Sequence, residues 1–217
     1  MSETHDNDQP AVSPPYRITS ERLLIRCWDP ADAPLLKDAV DSSLDHLRPW
    51  MPWAHQEPQP LTEKVQLLRC FRGRFDLSED FLYGIFTRDE SEVVGGTGLH
   101  TRAGDGAFEI GYWIRASRVG QGLATEAAAA LTRVAFSVCA VDRLEIHVDP
   151  ANARSSRIPR KLGYAEEAIL RRRLPPTEPG APRRDEVIFS LLAEEFAASP
   201  LASFPVEAHD SGGNRVL

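Results

Sequence analysis

Cysteine is scarce in this chain, and what there is does not pair up. Cys27, Cys70 and Cys139 are odd in number and far apart, with no CxxC spacing and no histidine at ligand distance. That excludes a disulfide framework and a cysteine-histidine metal centre, and it reads as a reducing cytosol with no metal. A positive excess is missing too. The formal net charge of −7 argues against nonspecific nucleic-acid binding, which needs a positive field, and it suits a basic partner or an amine. The opening MSETHDNDQPAVSPP has neither a basic start nor an apolar core, so it is no signal peptide; residues 1–15 read as a disordered tail. No long apolar run is free of charge. The longest, LATEAAAALTRVAFSVCAV, carries Glu126 and Arg133, each costing roughly 3 kcal/mol at a membrane centre. It reads as a buried helix of a soluble, cytoplasmic protein that neither enters a membrane nor binds nucleic acid.

What is present is ordinary globular material: 42% hydrophobic and 26% charged over 217 residues, enough for one substantial core. One domain over 16–196 is the natural count, followed by a polar tail at 197–217 to which no structure is assigned. The centre of the chain is AFEIGYWIRASRVGQGLATEAAAAL, residues 107–131. Phe108, Ile110, Tyr112 and Ile114 alternate with Glu109, Gly111 and Trp113, so a strand with two different faces is predicted. From Leu123 the composition turns to helix formers with Ala127, Leu131 and Val134 at helical spacing. Gly120 and Gly122 between the two permit positive backbone dihedrals. They either make a tight turn or bring backbone N–H groups, backed by a helix dipole, to an anion such as phosphate.

Around this centre lie further elements. Leu23–Ile25 reads as a strand, and Asp29-Pro30 as a helix opening, with a capping carboxylate and proline at the first helical position. That helix runs to about Asp45. Thr62 is placed to cap a second helix, whose buried face repeats Val65, Leu68, Phe71 and Phe75. A hairpin follows, FLYGIFT and VVGGTGLH around RDES. Gly95, Gly96 and Gly98 in its second arm read as bulges or close packing. RLEIHVDP is a strand, NARSSRIPRKLG a short helix holding Pro159 and ended by Gly163, and AILRRRL and EVIFSLL are strands across a proline-rich loop.

Four features carry a functional alternative. LRPWMPWAHQEPQP places Trp50 and Trp53 among prolines that forbid regular structure; it either folds over the core or walls a substrate pocket. Glu109 is either a charge on an exposed face or a proton acceptor. His147 reads as a half-buried packing residue and is left out of the chemistry. Arg171, Arg172 and Arg173, with Arg183 and Arg184, form either a solvated face or a grip on an acidic group.

The joint order of ERLLIRCWDPADA, LRPWMPW, FEIGYWI, GQGLATEA, LEIHVDPANARSS and RKLGY resembles the GNAT N-acetyltransferases, in the branch of the ribosomal-protein N-terminal acetyltransferases. The resemblance covers Tyr16 to Phe196. It implies an α/β (α+β) GNAT fold, a mixed, mostly antiparallel twisted sheet of about seven strands with about four helices on both faces. It also implies an enzyme that moves an acetyl group from acetyl-CoA to a primary amine, on a protein N-terminus or a small molecule, without metal and as a monomer or homodimer. Succinyl transfer and a non-catalytic acyl-CoA-binding module are the alternatives.

Carried over residue by residue, the family's pyrophosphate loop falls on Val119, Gly120, Gln121, Gly122, Leu123 and Ala124, with Thr125 following. Val119 departs from the family's Arg or Gln, and Arg118 is the neighbouring cation. The resemblance implies that the pantetheine arm lies beside the splayed strand against Ile114, and that a backbone N–H near Trp113 or Ile114 receives the oxyanion. Glu109 is then the base, through a water, with Gly111 leaving room for the acceptor. The family's N-x-x-S falls on Asn152, a cofactor contact, and Ser155, either the acid near the sulfur or a helix cap. Neither Ser155 nor any cysteine has a readable base partner, so direct transfer in a ternary complex is expected.

Overall fold

The computed structural model describes residues 13–177 and 180–217. Its strands are β1 (Arg17–Thr19), β2 (Leu23–Cys27), β3 (Phe81–Thr87), β4 (Val93–His100), β5 (Ala107–Ile114), β6 (Arg143–Val148), β7 (Ala165–Leu174), β8 (Arg184–Leu192) and β9 (Glu207–His209). The helices are α1 (Ala33–Asp41), α2 (Leu44–Leu47), α3 (Leu61–Asp76), α4 (Leu123–Ser137), α5 (Ala153–Lys161) and α6 (Ala193–Ala198). All nine strands form one sheet in the order β7-β8-β6-β5-β4-β3-β2-β1-β9. Every pairing is antiparallel except β5 with β6.

Two layers of helix cover the sheet. The alanine-rich α4 lays Ala127, Leu131 and Val134 on one face against Ile110, Ile114, Leu144 and Ile146. Small side chains let its axis approach the strands closely. On the other face, Leu36 and Val40 of α1 and Leu68 of α3 pack with Leu24, Trp28 and Phe86. The β4 glycines are a packing requirement: a Cβ on Gly95 would lie 2.1 Å from the Trp113 carbonyl oxygen and one on Gly96 2.5 Å from the Trp113 indole nitrogen.

Several expectations are corrected. The sheet has nine strands because β1 and β9 join its edge. Residues 197–217, expected without structure, contain a 3-10 turn at Pro200–Ser203 and then β9, which pairs with β1. Leu201 and Ala208 are buried there, so the segment satisfies an otherwise open edge and fills the core beneath it. The expected N-terminal tail lies outside the described residues as far as residue 12; Pro14 and Pro15 are buried, and the Pro15 carbonyl accepts from the buried Tyr83 hydroxyl at 2.9 Å.

Helix α3 begins at Leu61 behind Pro60, and Thr62 does not cap it. The segment expected to continue the first helix breaks at Ser42 and resumes as α2. The Trp-Pro loop does hold regular structure, a 3-10 turn over Pro52–Gln56 that uses Pro52 at its first position. Asp29 caps a 3-10 turn at Pro30–Asp32 that leads into α1. Among the described residues no helix is long and apolar enough to cross a membrane.

Candidate active site

Strands β5 and β6 begin side by side and then part. Their parallel pairing covers only Ala107, Phe108 and Glu109 against Arg143, Leu144 and Glu145, although β5 continues to Ile114 and β6 to Val148. On its other edge β5 stays paired with β4 from Glu109 to Ile114. The Arg115 N–H donates to the Val94 carbonyl at 3.0 Å. In an antiparallel ladder backbone groups alternate sides, so the Trp113 N–H faces β4, while those of Tyr112 and Ile114 face the opening.

Next to this opening sits the glycine loop. Gly120 and Gly122 have φ of 82° and 79°, a region that L side chains avoid. Gly122 stands at the N-cap of α4 with no side-chain cap, and the first helical bond runs from the Glu126 N–H to the Gly122 carbonyl at 3.0 Å. The backbone N–H groups from Gly120 to Thr125 have no acceptor among the described residues. They form a row of free donors at the positive end of a helix. A Cβ on Gly120 would meet nothing within 4 Å, so the approach is open.

The loop is held from behind. Glu126, buried in the first turn of α4, accepts from the Ser20 hydroxyl at 2.8 Å, from the Arg22 backbone at 2.9 Å and from Arg22 Nε at 2.6 Å. Arg22 Nη1 also donates to the Gln121 carbonyl at 2.8 Å. Val119 packs against the core. Arg118 does not stand in for it at the loop, because its guanidinium is ion-paired with Glu92.

A cavity of about 650 Å³ opens beside β5, and Trp50, Trp53, Glu109, Trp113, Asn152 and Ser155 all border it. Ile114 and the 119–125 loop do not. Glu109 is 6% exposed, which removes the solvent-facing alternative. Its carboxylate takes two hydrogen bonds from Arg102, at 2.6 and 2.5 Å. Burial pushes its pKa up, but the Arg102 hydrogen bonds and the nearby His147, Arg102 and His100 charges outweigh burial and hold the carboxyl below its usual range. Gly111 does not leave an empty space: a Cβ there would lie 3.0 Å from His100 Nε2, and the His100 ring is anchored by Nδ1 to Asp80 at 2.8 Å.

The capping alternative for Ser155 resolves onto its neighbour. Asn152 is the N-cap of α5, its side chain accepting from the Ser155 N–H at 3.1 Å, which leaves the Ser155 hydroxyl free to face the cavity. The Tyr112 hydroxyl lies 3.2 Å from it. Burial, against the opposing Ser155 hydrogen bond, pushes the Tyr112 pKa up to about 12, so it stays a protonated donor at neutral pH.

Cavity residues to which the sequence reading assigned no role include Arg102, Tyr112, His100 and His147. His147 is no mere packing residue, since its Nε2 lies 2.6 Å from Glu145 and its Nδ1 lies 3.7 Å from Glu109 and 3.6 Å from Glu186. The alternation Glu145, His147, Asp149 was the only signal for it. The hairpin register that pairs His100 with Glu109 would have located Arg102, had it been known. Among the described residues no three His, Cys, Asp or Glu side chains are grouped to hold a metal. No cysteine borders the cavity.

Comparison with known proteins bears on the family and the fold. The chain is 28% identical to the ribosomal protein uS5-alanine N-acetyltransferase of Escherichia coli, over 73% of this chain and 82% of that one. Mycobacterium smegmatis RimJ, solved with a CoA-disulfide, superposes with a TM-score of 0.73 at 26% identity, covering 87% of this chain and 90% of that one. A GNAT-family acetyltransferase of Bacillus anthracis superposes with a TM-score of 0.69 at 23% identity, over 82% and 99% of the two chains, and shows the shared fold. The profile described as "Acetyltransferase (GNAT) domain" matches residues 22–165. With that match spanning the glycine loop, the parted strands and α5, the chain belongs to the GNAT acetyltransferase family.

Proposed function

We propose that this chain transfers an acetyl group from acetyl-CoA to a primary amine by direct attack in a ternary complex. The observation that carries the reading is the parting of β5 from β6, which leaves the Tyr112 and Ile114 backbone groups unpaired next to a row of free loop amides. An extended arm ending in a diphosphate has both of its requirements met there: a strand edge for its amides and a cradle for its phosphates. The positive φ of both glycines and the empty space over Gly120 fit such a group.

Within this scheme Gly120 to Thr125 hold the diphosphate, and Ile114 and Tyr112 hold the arm through their backbone. Val119 contributes no side-chain donor, a modest loss, because the amides carry the phosphate contact. The amine must shed a proton before it attacks. Glu109, kept ionised by Arg102, receives that proton through a bridging water. The nitrogen lone pair then forms the C–N bond to the acyl carbon, and the Ile114 or Tyr112 N–H is the oxyanion donor. The C–S bond breaks with its electron pair on sulfur. Ser155, backed by the Tyr112 hydroxyl, passes its proton to the sulfur to make the free thiol and takes up the second proton of the attacking nitrogen, which leaves a neutral amide and restores the serine hydroxyl. Asn152 orients Ser155 through the N-cap bond and contacts the donor's backbone.

The Escherichia coli relative is named for an alanine of a ribosomal protein, which supports a protein N-terminus as acceptor; a small amine is the other form of the same chemistry. Mass spectrometry of ribosomal-protein N-terminal peptides and a panel of small amines, each with acetyl- and succinyl-CoA, tests the reading. The expected result is an acetylated amine whose formation falls sharply in Glu109→Gln. Binding of CoA without acylation of any amine overturns it in favour of a regulatory module.

A further inference from the structure

The chain contains four tryptophans, and Trp28, Trp50, Trp53 and Trp113 all border the cavity of about 650 Å³. Trp28 is core at 3% exposed, but the other three are not. Trp50 and Trp113 are half-buried and Trp53 is 37% exposed, with the Trp53 and Trp113 rings edge-to-face at 5.9 Å. Leu67, Phe71 and Leu82, also half-buried, line the same space. Aromatic surface left facing an opening gains from a partner that is itself flat and apolar.

The geometry of β5 sets where that partner sits relative to the chemistry. Glu109, Gly111 and Trp113 share one face of the strand, so Glu109 and Trp113 stand about 13 Å apart along it. A carboxylate side chain, a bridging water and a residue the size of phenylalanine fill that span. The His100 ring, over Gly111, forms the wall between them.

A polar group marks a further contact. Lys64 is 1% exposed and borders the cavity, and its ammonium is bonded to Glu57. The other Glu57 oxygen accepts from the Gln59 N–H at 2.9 Å. An ammonium has three N–H donors, and no other acceptor for Lys64 occurs among the described residues. Because Glu57 already neutralises the charge, the spare donors suit a neutral oxygen, such as an amide carbonyl, over a carboxylate.

Resting on the transferase reading above, we infer that the acceptor is an α-amine on an aromatic residue, with a carbonyl oxygen that bonds Lys64. A single aromatic amino-acid amide and a peptide with an aromatic N-terminal residue share this chemistry. The test measures kcat/KM with acetyl-CoA for phenylalaninamide, alaninamide, phenethylamine and Phe- and Ala-led tetrapeptides. Phenylalaninamide or the Phe-led peptide exceeds its alanine counterpart by at least about 10-fold, and whichever pair shows it identifies the source. Phenethylamine, lacking the carbonyl, falls about 10-fold below phenylalaninamide, and Trp53→Ala compresses the Phe-to-Ala ratio. Equal or better rates with the alanine acceptors overturn the inference and leave the transferase reading standing. If no amine is acetylated by protein that binds acetyl-CoA, both fall.

Discussion

Arg102 grips Glu109 through two hydrogen bonds, at 2.5 and 2.6 Å, from a side chain that is 63% exposed to one that is 8% exposed. The exposed guanidinium therefore decides the ionisation of the buried carboxylate. Its loss removes the largest of the groups that offset burial, so the Glu109 pKa moves up. In Arg102→Gln the acid limb of the kcat/KM profile moves to higher pH, and in Glu109→Gln kcat falls by about 10²- to 10⁴-fold. A pH–rate series on the three proteins checks both; an unmoved acid limb would sink Glu109 as the titrating base.

The same pair predicts a pH-dependent stability. The folded Glu109 pKa lies below its ordinary 4.5, so the stabilising contribution is full above that value and is lost as pH falls through the depressed folded pKa. Denaturant melts of wild type and Glu109→Gln, compared between neutral and acidic pH, should converge on the acid side.

Backbone strain makes the loop sensitive to the smallest side chain. Gly122→Ala forces alanine to φ near 79°, at a cost of about 1–2 kcal/mol, and disturbs the amides. A lower Tm together with a raised KM for the acyl donor is expected. Donor KM unchanged in a destabilised variant would remove the loop from donor binding.

Glu126 ties the start of α4 to the β1–β2 turn. Glu126→Ala leaves the buried Ser20 hydroxyl and the Arg22 N–H without their acceptor, a loss of ~2–3 kcal/mol. Chemical denaturation measures it, and donor affinity should drop with it because Arg22 also braces the Gln121 carbonyl.

Asn152 and Ser155 separate structure from chemistry. Asn152→Ala removes the α5 cap and costs ~1 kcal/mol. Ser155→Ala keeps the cap, so its Tm stays close to wild type while kcat drops by about 10²-fold if its hydroxyl supplies the proton. Equal kcat in Ser155→Ala would pass that role to Tyr112.

Much of this was legible in the chain. The glycine loop, the two-faced strand and the alanine-rich helix could be read because φ > 0, a period of two and a period of 3.6 are local properties. The Asn152/Ser155 spacing was legible too, but which of the pair caps the helix was not; the N-cap is fixed by where the backbone turns helical, at Ala153. The ordered C-terminus was missed for a different reason. Glu207–His209 is too short and polar to announce a strand, and it becomes one because β1 offers an open edge.

Local chemistry along the chain was enough to establish the strand, the positive-φ turn and the helix that follows. Tertiary structure alone decided that β5 leaves β6 after Glu109, that Arg102 neutralises Glu109, and that His147, Tyr112 and four tryptophans meet at one cavity. Those are contacts between residues brought together by sheet register and packing. Their partners lie up to a hundred residues apart, and no period or dipeptide in either segment encodes the other.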